Sequence, residues 1–228
     1  MRLGLRLPQR MGIDLRHDVT EVASAAERAG FDSIWAWERP LFPVAPRDSF
    51  TPGAPWPPAY RQAADPLTVL AAAAVVTERV RLGTSVMVAG LHQPLQLAKR
   101  FATLDQISGG RVAAGLGTGW AVDEFEAVGV AKSDRGRLLD ETLDVFNAAW
   151  GPDPVNYRGP TRSSTTPTSC RSRLHRSPSS WAAMSTSAPL EVPMHVCCSG
   201  SLDVPTVGCH FSRPLALLVL RSFVRRGT

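Results

Sequence analysis

Three glycines at alternate positions mark the stretch of this chain best suited to bind an anion. Gly115, Gly117 and Gly119 lie between a short apolar run and a segment with a helical pattern. Glycine lets the backbone approach a ligand closely. Successive N–H groups in such a turn form an anion-binding nest, which the N terminus of a following helix reinforces. The spacing therefore predicts either a phosphate cradle at the end of a strand or an ordinary tight strand-to-helix turn.

This turn is a poor match to the dinucleotide-binding fingerprint. The fingerprint G-x-G-x-x-G requires a third glycine where this chain has Trp120. It also usually opens its domain, whereas this turn follows three other predicted strand–helix units. We therefore do not interpret the turn as part of a Rossmann domain.

Alternating strand and helix patterns must position this turn. The predicted strands are residues 3–7, 33–37, 80–88 and 111–115, and the predicted helices are residues 19–29, 67–77, 94–107 and 134–150. Such alternation indicates a parallel sheet with helices outside it. Ligands of such sheets bind at the carboxyl ends of the strands. The residues expected at those ends are Glu38, Arg39, residues 85–92 and residues 117–123.

Local signals place the ends of two helices. Asp18 with Glu21 resembles a capping box for the first helix, and Gly30 suits the position just after its end. Asp65 followed by Pro66 is a strong start for the second helix.

A long segment, residues 38–64, separates the second strand from the second helix. It is rich in proline and carries Phe42, Phe50, Trp56 and Tyr60. A loop this long inside a compact domain is usually either functional or disordered. The four aromatic residues favour a packed lid over a pocket, with partial disorder as the alternative.

Composition excludes several classes of function. The net charge of +5 is misleading because residues 1–160 carry 17 basic and 18 acidic side chains, so the excess lies in the last 68 residues. The body thus gives no electrostatic reason to expect nucleic acid binding. The sequence has no membrane-spanning apolar run, no convincing signal peptide and no cysteine spacing typical of a metal site. We expect a cytoplasmic protein with a small-molecule substrate.

Several motifs in a fixed order resemble the luciferase-like monooxygenase superfamily. The resemblance is strongest to the branch that uses the deazaflavin coenzyme F420, and it covers about residues 1–160. The motifs are FDSIW (31–35), DPL (65–67), RLGTSV (81–86), TLD (103–105), SGGR (108–111) and GLGTGW (115–120). The resemblance implies a (β/α)8 barrel of the TIM type with a cofactor at its C-terminal face. Only an N-terminal half barrel of about four strand–helix units is expected here, with residues 161–228 as an irregular tail.

The same resemblance assigns cofactor contacts. In F420-dependent relatives a bulge in the third strand carries a non-prolyl cis peptide behind the deazaflavin ring, and Ser85 and Val86 match it. The turn Gly117, Thr118 and Gly119 matches the backbone that binds the coenzyme phosphate. Asp123 matches a polar residue that holds the cofactor's side arm. FMN is the alternative cofactor, with oxygen as co-substrate in a monooxygenase.

Departures from the family pattern leave the acid–base chemistry open. F420-dependent sugar-phosphate dehydrogenases carry Asp-His after the second strand, where this chain has Glu38 and Arg39, and arginine cannot act as a base at neutral pH. Glu38 is a candidate proton donor or cofactor contact, or else it pairs with Arg39 or solvent. His92 is a candidate proton-transfer residue or a surface histidine. Trp120 stands where those enzymes carry a glutamate, and it either stacks on cofactor or substrate or packs under the lid.

The residue pattern changes after residue 160. Fourteen of residues 161–187 are Ser or Thr, and all four cysteines lie after residue 160. We predict no strand or helix period between residues 161 and 213. We hypothesise that this tail is translated from a shifted reading frame, and the alternative hypothesis is a genuine Ser/Thr/Arg-rich linker. Residues 215–220 are expected to form a helix covering the sheet, or an aggregation-prone segment. Four strands cannot close a barrel, so we expect the sheet to keep exposed edges. Such a sheet either pairs with a second copy in a homodimer or remains an inactive half-barrel fragment.

Overall fold

The first half of the chain builds a parallel sheet covered by helices. The computed structural model describes residues 2–10, 12–152 and 155–159 and three further strands. The strands are β1 (Leu3–Arg6), β2 (Ser33–Ala36), β3 (Arg81–Thr84), β4 (Met87–Val88), β5 (Val112–Ala113), β6 (Gly115–Gly117), β7 (Val155–Arg158), β8 (Ser163–Thr168), β9 (His195–Val196) and β10 (Leu218–Leu220). The helices are α1 (Asp18–Arg28), α2 (Pro66–Ala74), α3 (Pro94–Ile107), α4 (Val122–Ala127) and α5 (Arg135–Ala149), with 3-10 turns at Pro58–Gln62, Ala89–Leu91 and Lys132–Asp134.

Sheet order follows from the predicted strand–helix units. One parallel sheet has the order β5-β3-β2-β1-β9, and a second has the order β10-β6-β4. Strands β7 and β8 form an antiparallel pair. The register aligns Leu5, Ile34, Leu82 and Val112 across four strands, and all four pack in the core that the helices cover. The α/β half-barrel class predicted from the sequence is therefore confirmed.

Two of the three predicted helix boundaries are confirmed. Asp65 accepts a hydrogen bond from the Thr68 backbone N–H at 2.8 Å and caps α2, with Pro66 as the first helical residue. Gly30 has φ of 83° after α1. The cap predicted at Asp18 is wrong, because Asp18 is itself the first residue of α1 and its carboxylate accepts the backbone N–H of Asp14.

The predicted third strand is divided in two. The peptide bond between Ser85 and Val86 is cis, which matches the geometry implied by the family resemblance, and it separates β3 from β4. The Ser85 N–H still donates to the Ala36 carbonyl at 2.7 Å, so the break lies directly beside the end of β2.

Gln9 fixes both ends of the long segment after β2. Its buried amide donates to the carbonyls of Trp37 (2.6 Å) and Ala64 (3.0 Å) and accepts the Trp37 N–H (2.9 Å). We call residues 40–64 the cover segment. Because both ends of this segment are fixed, its 25 residues form a packed loop over the sheet edge.

Two expectations about the tail are wrong where the structure describes it. Ser163–Thr168 forms β8, and Leu218–Leu220 forms β10 rather than a helix. The physical reason is edge pairing: β10 joins β6, and β9 joins β1, so the edges expected to be exposed are paired there. The reading-frame hypothesis and the division of the chain at residue 160 remain predictions.

Close backbone packing at Gly115 gives a test of the sheet. A Cβ on Gly115 would lie 1.9 Å from the Thr84 carbonyl oxygen, and the Thr84 hydroxyl bonds both the N–H and the carbonyl of Gly115. We expect Gly115→Ala to lower the free energy of unfolding by about 2–3 kcal/mol because backbone must move. Gly136→Ala, in α5 with open space around it, should instead stabilise by about 0.5–1 kcal/mol. Urea unfolding of both variants measures this, and a neutral Gly115→Ala would contradict the packing.

Candidate functional site

The predicted site residues converge on one edge of the sheet. Glu38 follows β2, Ser85 and Val86 lie between β3 and β4, His92 follows the turn after β4, and residues 117–119 end β6. Because all these strands are parallel, their carboxyl ends share this edge. Ser85 is exposed and Val86 half-buried, so this part of the edge is open to a ligand.

Glu38 and His92 form a partly buried hydrogen-bonded pair. The Glu38 Oε1 lies 2.6 Å from the His92 Nε2, and its Oε2 accepts the Val88 N–H at 2.6 Å. The side chains are 6% and 19% exposed. Both carboxylate oxygens are therefore engaged, which fixes the imidazole ring. The pairing with Arg39 or with solvent that the sequence left open for Glu38 is not the arrangement found.

Carboxylate–imidazole pairs suit proton transfer. A carboxylate that holds one ring nitrogen sets the tautomer and raises the basicity of the ring. Histidine is the side chain used most often for general acid–base catalysis. The sequence named both residues separately as candidates, and only the fold brings them into contact.

Arg39 points to a different part of the edge. Its Nη1 donates to the Glu124 Oε1 at 2.7 Å, with the two side chains 8% and 1% exposed. Its guanidinium carbon lies 4.8 Å from the ring centroid of Trp56, 4.8 Å from that of Trp120 and 5.3 Å from that of Tyr60. These three rings and Glu124, which we call the Arg39 cage, enclose the cation.

Burial shifts the titration of Glu124. Desolvation raises the pKa of this carboxyl most, Glu38 and Asp48 raise it further, and Arg39 lowers it, so that the pKa reaches about 7. Glu124 was not a candidate in the sequence, because only the fold removes it from water. Glu124 lies in the first turn of α4, where an acidic residue is ordinarily expected to be exposed to solvent.

The cover segment is a packed lid rather than a disordered loop. Trp120 packs against Trp56 with ring centroids 4.9 Å apart and against Phe50 at 5.9 Å. Trp56 is 4% exposed, and Tyr60 packs on Trp37 at 5.0 Å. Trp120 therefore packs under the lid, and its stacking on a cofactor or substrate remains a prediction.

Asp123 is engaged by the cover segment. Its carboxylate accepts the backbone N–H and the Nε of Arg47, each at 3.2 Å, and Arg47 also pairs with Glu126. Asp48 accepts the Val122 N–H at 3.2 Å and pairs with Lys132. The N terminus of α4 thus already has a carboxylate partner, so the helix contribution expected for a phosphate cradle is not available in this arrangement.

The glycine turn itself is tightly packed. Gly119 has φ of 74°, and a Cβ there would lie 2.5 Å from Val88 Cγ1. Thr118 is 7% exposed. The turn therefore requires glycine at position 119 both for its backbone conformation and for the close approach of β4.

Two buried donors at this edge lack a partner among the described residues. They are the Nε1 of Trp37 and the Nε of Arg39. Such unpaired donors are uncommon in folded proteins and cost about 1–3 kcal/mol each. An acceptor group supplied by a ligand would satisfy them.

The described residues hold no cluster of three or more His, Cys, Asp or Glu side chains suited to a metal ion. Within that same part of the chain, no helix combines the length and apolar character needed to cross a membrane.

Glu124 predicts a specific pH dependence of stability. Between its usual pKa near 4.5 and about 7, the unfolded chain ionises Glu124 while the folded chain keeps it protonated. The Glu124 contribution to the free energy of unfolding is therefore complete below pH 4.5 and falls by about 3 kcal/mol as pH rises through 7. We expect the stability difference between wild type and Glu124→Gln to fall by that amount from pH 4.5 to 8. Urea unfolding at each pH measures it, and a pH-independent difference would contradict the assignment.

Comparison with known proteins bears on family and fold. A model of the luciferase-like monooxygenase family matches residues 5–193. An uncharacterized protein of Mycobacterium tuberculosis is 38% identical over 146 residues, which is 62% of this chain and 52% of that protein. An F420-dependent glucose-6-phosphate dehydrogenase of Amycolatopsis mediterranei is 32% identical over 146 residues, which is 62% of this chain and 40% of that enzyme.

A solved structure agrees with the fold. The crystal structure of the monooxygenase RslO1 from Streptomyces bottropensis superposes with a TM-score of 0.60 at 26% identity, covering 76% of this chain and 51% of that chain. The present chain thus spans about half, or less, of the length of these relatives. The family match extends over most of the chain and includes every site residue described above, so this chain belongs to the luciferase-like monooxygenase family.

Proposed function

We propose that the protein is an F420-dependent oxidoreductase that transfers a hydride to or from a small organic substrate, with Glu38 and His92 as its proton-transfer pair. The observation that carries the proposal is the 2.6 Å contact between these two side chains at the carboxyl edge of the sheet. That edge is where ligands bind in parallel α/β folds. The 32% identity to an F420-dependent dehydrogenase supports this choice of coenzyme.

The fit of the residues to such a coenzyme is good at two places. The exposed Ser85 and half-buried Val86 offer an open backbone surface for a flat ring system. The unpaired donors of Trp37 and Arg39 are buried, so they would reach the oxygens of a ligand only if the cover segment opened. Residues 117–119 supply a glycine-rich turn for a phosphate.

Two other predicted contacts fit less well. Asp123 is paired with Arg47, and Trp120 is packed within the Arg39 cage. A role for Asp123 in holding the side arm of the coenzyme would require Arg47 to exchange partners. A role for Trp120 in stacking would require the cover segment to move.

In this proposal the residues of the chain have distinct roles. Bound F420 supplies the hydride donor or acceptor. Glu38 holds the ring of His92, and His92 takes a proton from, or returns one to, the oxygen of the substrate. The cover segment packs on the neighbouring Arg39.

A second candidate is an FMN-dependent monooxygenase on the same scaffold. The 26% identity to the monooxygenase RslO1 over 76% of the chain favours it. The residues at the carboxyl edge of the sheet do not distinguish the two candidate functions, because either cofactor would bind at this same edge.

Spectral titration separates the two cofactors. We expect a saturable difference spectrum with F420 at micromolar concentrations and a weaker one or none with FMN. Saturation by FMN alone would favour the monooxygenase, and no saturation by either would overturn both candidates. Gly119→Ala should weaken F420 binding about tenfold or more because the turn must change shape. Gly129→Ala is the matched control, since Gly129 also has positive φ but has open space around it.

Substitution of the proton-transfer pair tests the catalytic assignment. We expect His92→Gln and Glu38→Gln to lower kcat about 100-fold or more, while the Kd for F420 changes less than about threefold. F420 reduction would be followed with a panel of small alcohols and sugar phosphates. The control is His17→Gln, since His17 is an exposed histidine that also lies beside a carboxylate. Turnover of His92→Gln equal to that of the control would rule out its role.

A further inference from the structure

The Arg39 cage lies where the cover segment meets the sheet. Its ion pair with Glu124 is the most deeply buried salt bridge among the described residues. The rings come from two places: Trp56 and Tyr60 belong to the cover segment, and Trp120 follows β6. The Arg39 side chain, which follows β2, therefore contacts both the cover segment and the turn after β6.

The other charged contacts of the cover segment lie nearer to solvent. Arg47 is 49% exposed where it pairs with Asp123. Arg61 stacks on Phe42 at 4.6 Å but is itself exposed. Exposed ion pairs contribute little and are screened by salt, whereas removing one partner of a buried pair leaves an uncompensated charge. The cage is thus the contact on which closure depends most.

Chain geometry links the cage to the acid–base pair. Glu38 and Arg39 are consecutive, and their side chains engage different elements: Glu38 reaches the Val88 N–H and His92, and Arg39 reaches Glu124 on α4. A shift of the backbone here changes both contacts at once. The position of the cover segment and that of the carboxylate are therefore mechanically coupled.

We propose that Arg39 is a positioning residue: its guanidinium, paired with Glu124, holds Trp56, Tyr60 and Trp120 together so that the cover segment closes beside the Glu38–His92 pair. Arginine suits this task because its planar group stacks on rings while donating to a carboxylate. Lysine provides the charge without the planar stacking surface. The structural part of the proposal is independent of the cofactor, while its catalytic consequence rests on the proposed function.

Chymotrypsin cleavage of the full-length protein at pH 8, above the raised pKa of Glu124 so that its pair with Arg39 is ionised, tests closure directly. Tyr60 lies in the cage, and the exposed Phe50 serves as an internal reference in the same segment. We expect Arg39→Met to raise the rate of cleavage after Tyr60, relative to Phe50, about tenfold or more. Arg39→Lys should give an intermediate increase. The matched control Arg47→Met removes a half-exposed ion pair of the same segment without altering the Tyr60–Arg61 bond, and it should change the ratio less than twofold.

Two results would overturn the proposal. One is a folded Arg39→Met variant, judged by far-UV circular dichroism, whose cleavage ratio stays within twofold of wild type. The other is an equal increase in Arg47→Met. If Arg39→Met does not fold, Arg39→Lys is judged by the same criteria, with a ratio within twofold of wild type counting against the proposal. A double-mutant cycle with Glu124→Gln adds a second criterion, because non-additive changes in the cleavage ratio are expected only if the two side chains act together.

Kinetics separate this proposal from the proposed function. If the enzyme turns over F420, Arg39→Lys should raise the KM for substrate about tenfold with kcat within threefold of wild type, and an unchanged KM would count against the role of closure in substrate binding. If the Arg39 variants show the altered cleavage ratio but the wild-type protein does not bind F420, the result would support the positioning role and reject the F420 assignment.

Discussion

Two consecutive charged residues at the end of β2 set the arrangement of the whole site. Glu38 binds the turn after β4 through Val88 and His92, and Arg39 binds α4 after β6 through Glu124. Charges this deeply buried require partners, because an unpaired one is far too costly to keep. The ends of three strands are therefore held in fixed relative positions by one dipeptide, and the cover segment begins from the same point.

The Glu38–His92 pair and the Arg39 cage have different roles in this arrangement. The Glu38–His92 pair is a small group with both carboxylate oxygens engaged, which suits repeated proton transfer without movement. The Arg39 cage is a larger, mostly aromatic contact that brings the cover segment down on the edge. Trp37 and Arg39 each retain a buried donor with no partner among the described residues.

Sequence patterns predicted much of the fold because helices and strands depend on local spacing. The bounds of α3 and the cap and first residue of α2 agree with the prediction. The Asp18 cap failed because Asp14, four residues earlier, competes for the same local hydrogen bonds. The predicted helix at 215–220 failed because the edge of β6 lies far away in sequence, and Leu218–Leu220 pairs with it.

The sequence by itself determined the parallel α/β class, the strand ends that carry Glu38, His92 and the glycine turn, and the family resemblance, since each depends on residue types at short spacing. The tertiary structure decided which of these residues meet. It joined Glu38 to His92 across 54 positions and Arg39 to Glu124 across 85, placed Trp120 under the lid, and removed Glu124 from water. Contacts over such separations depend on how strands and loops pack, and no local pattern encodes them.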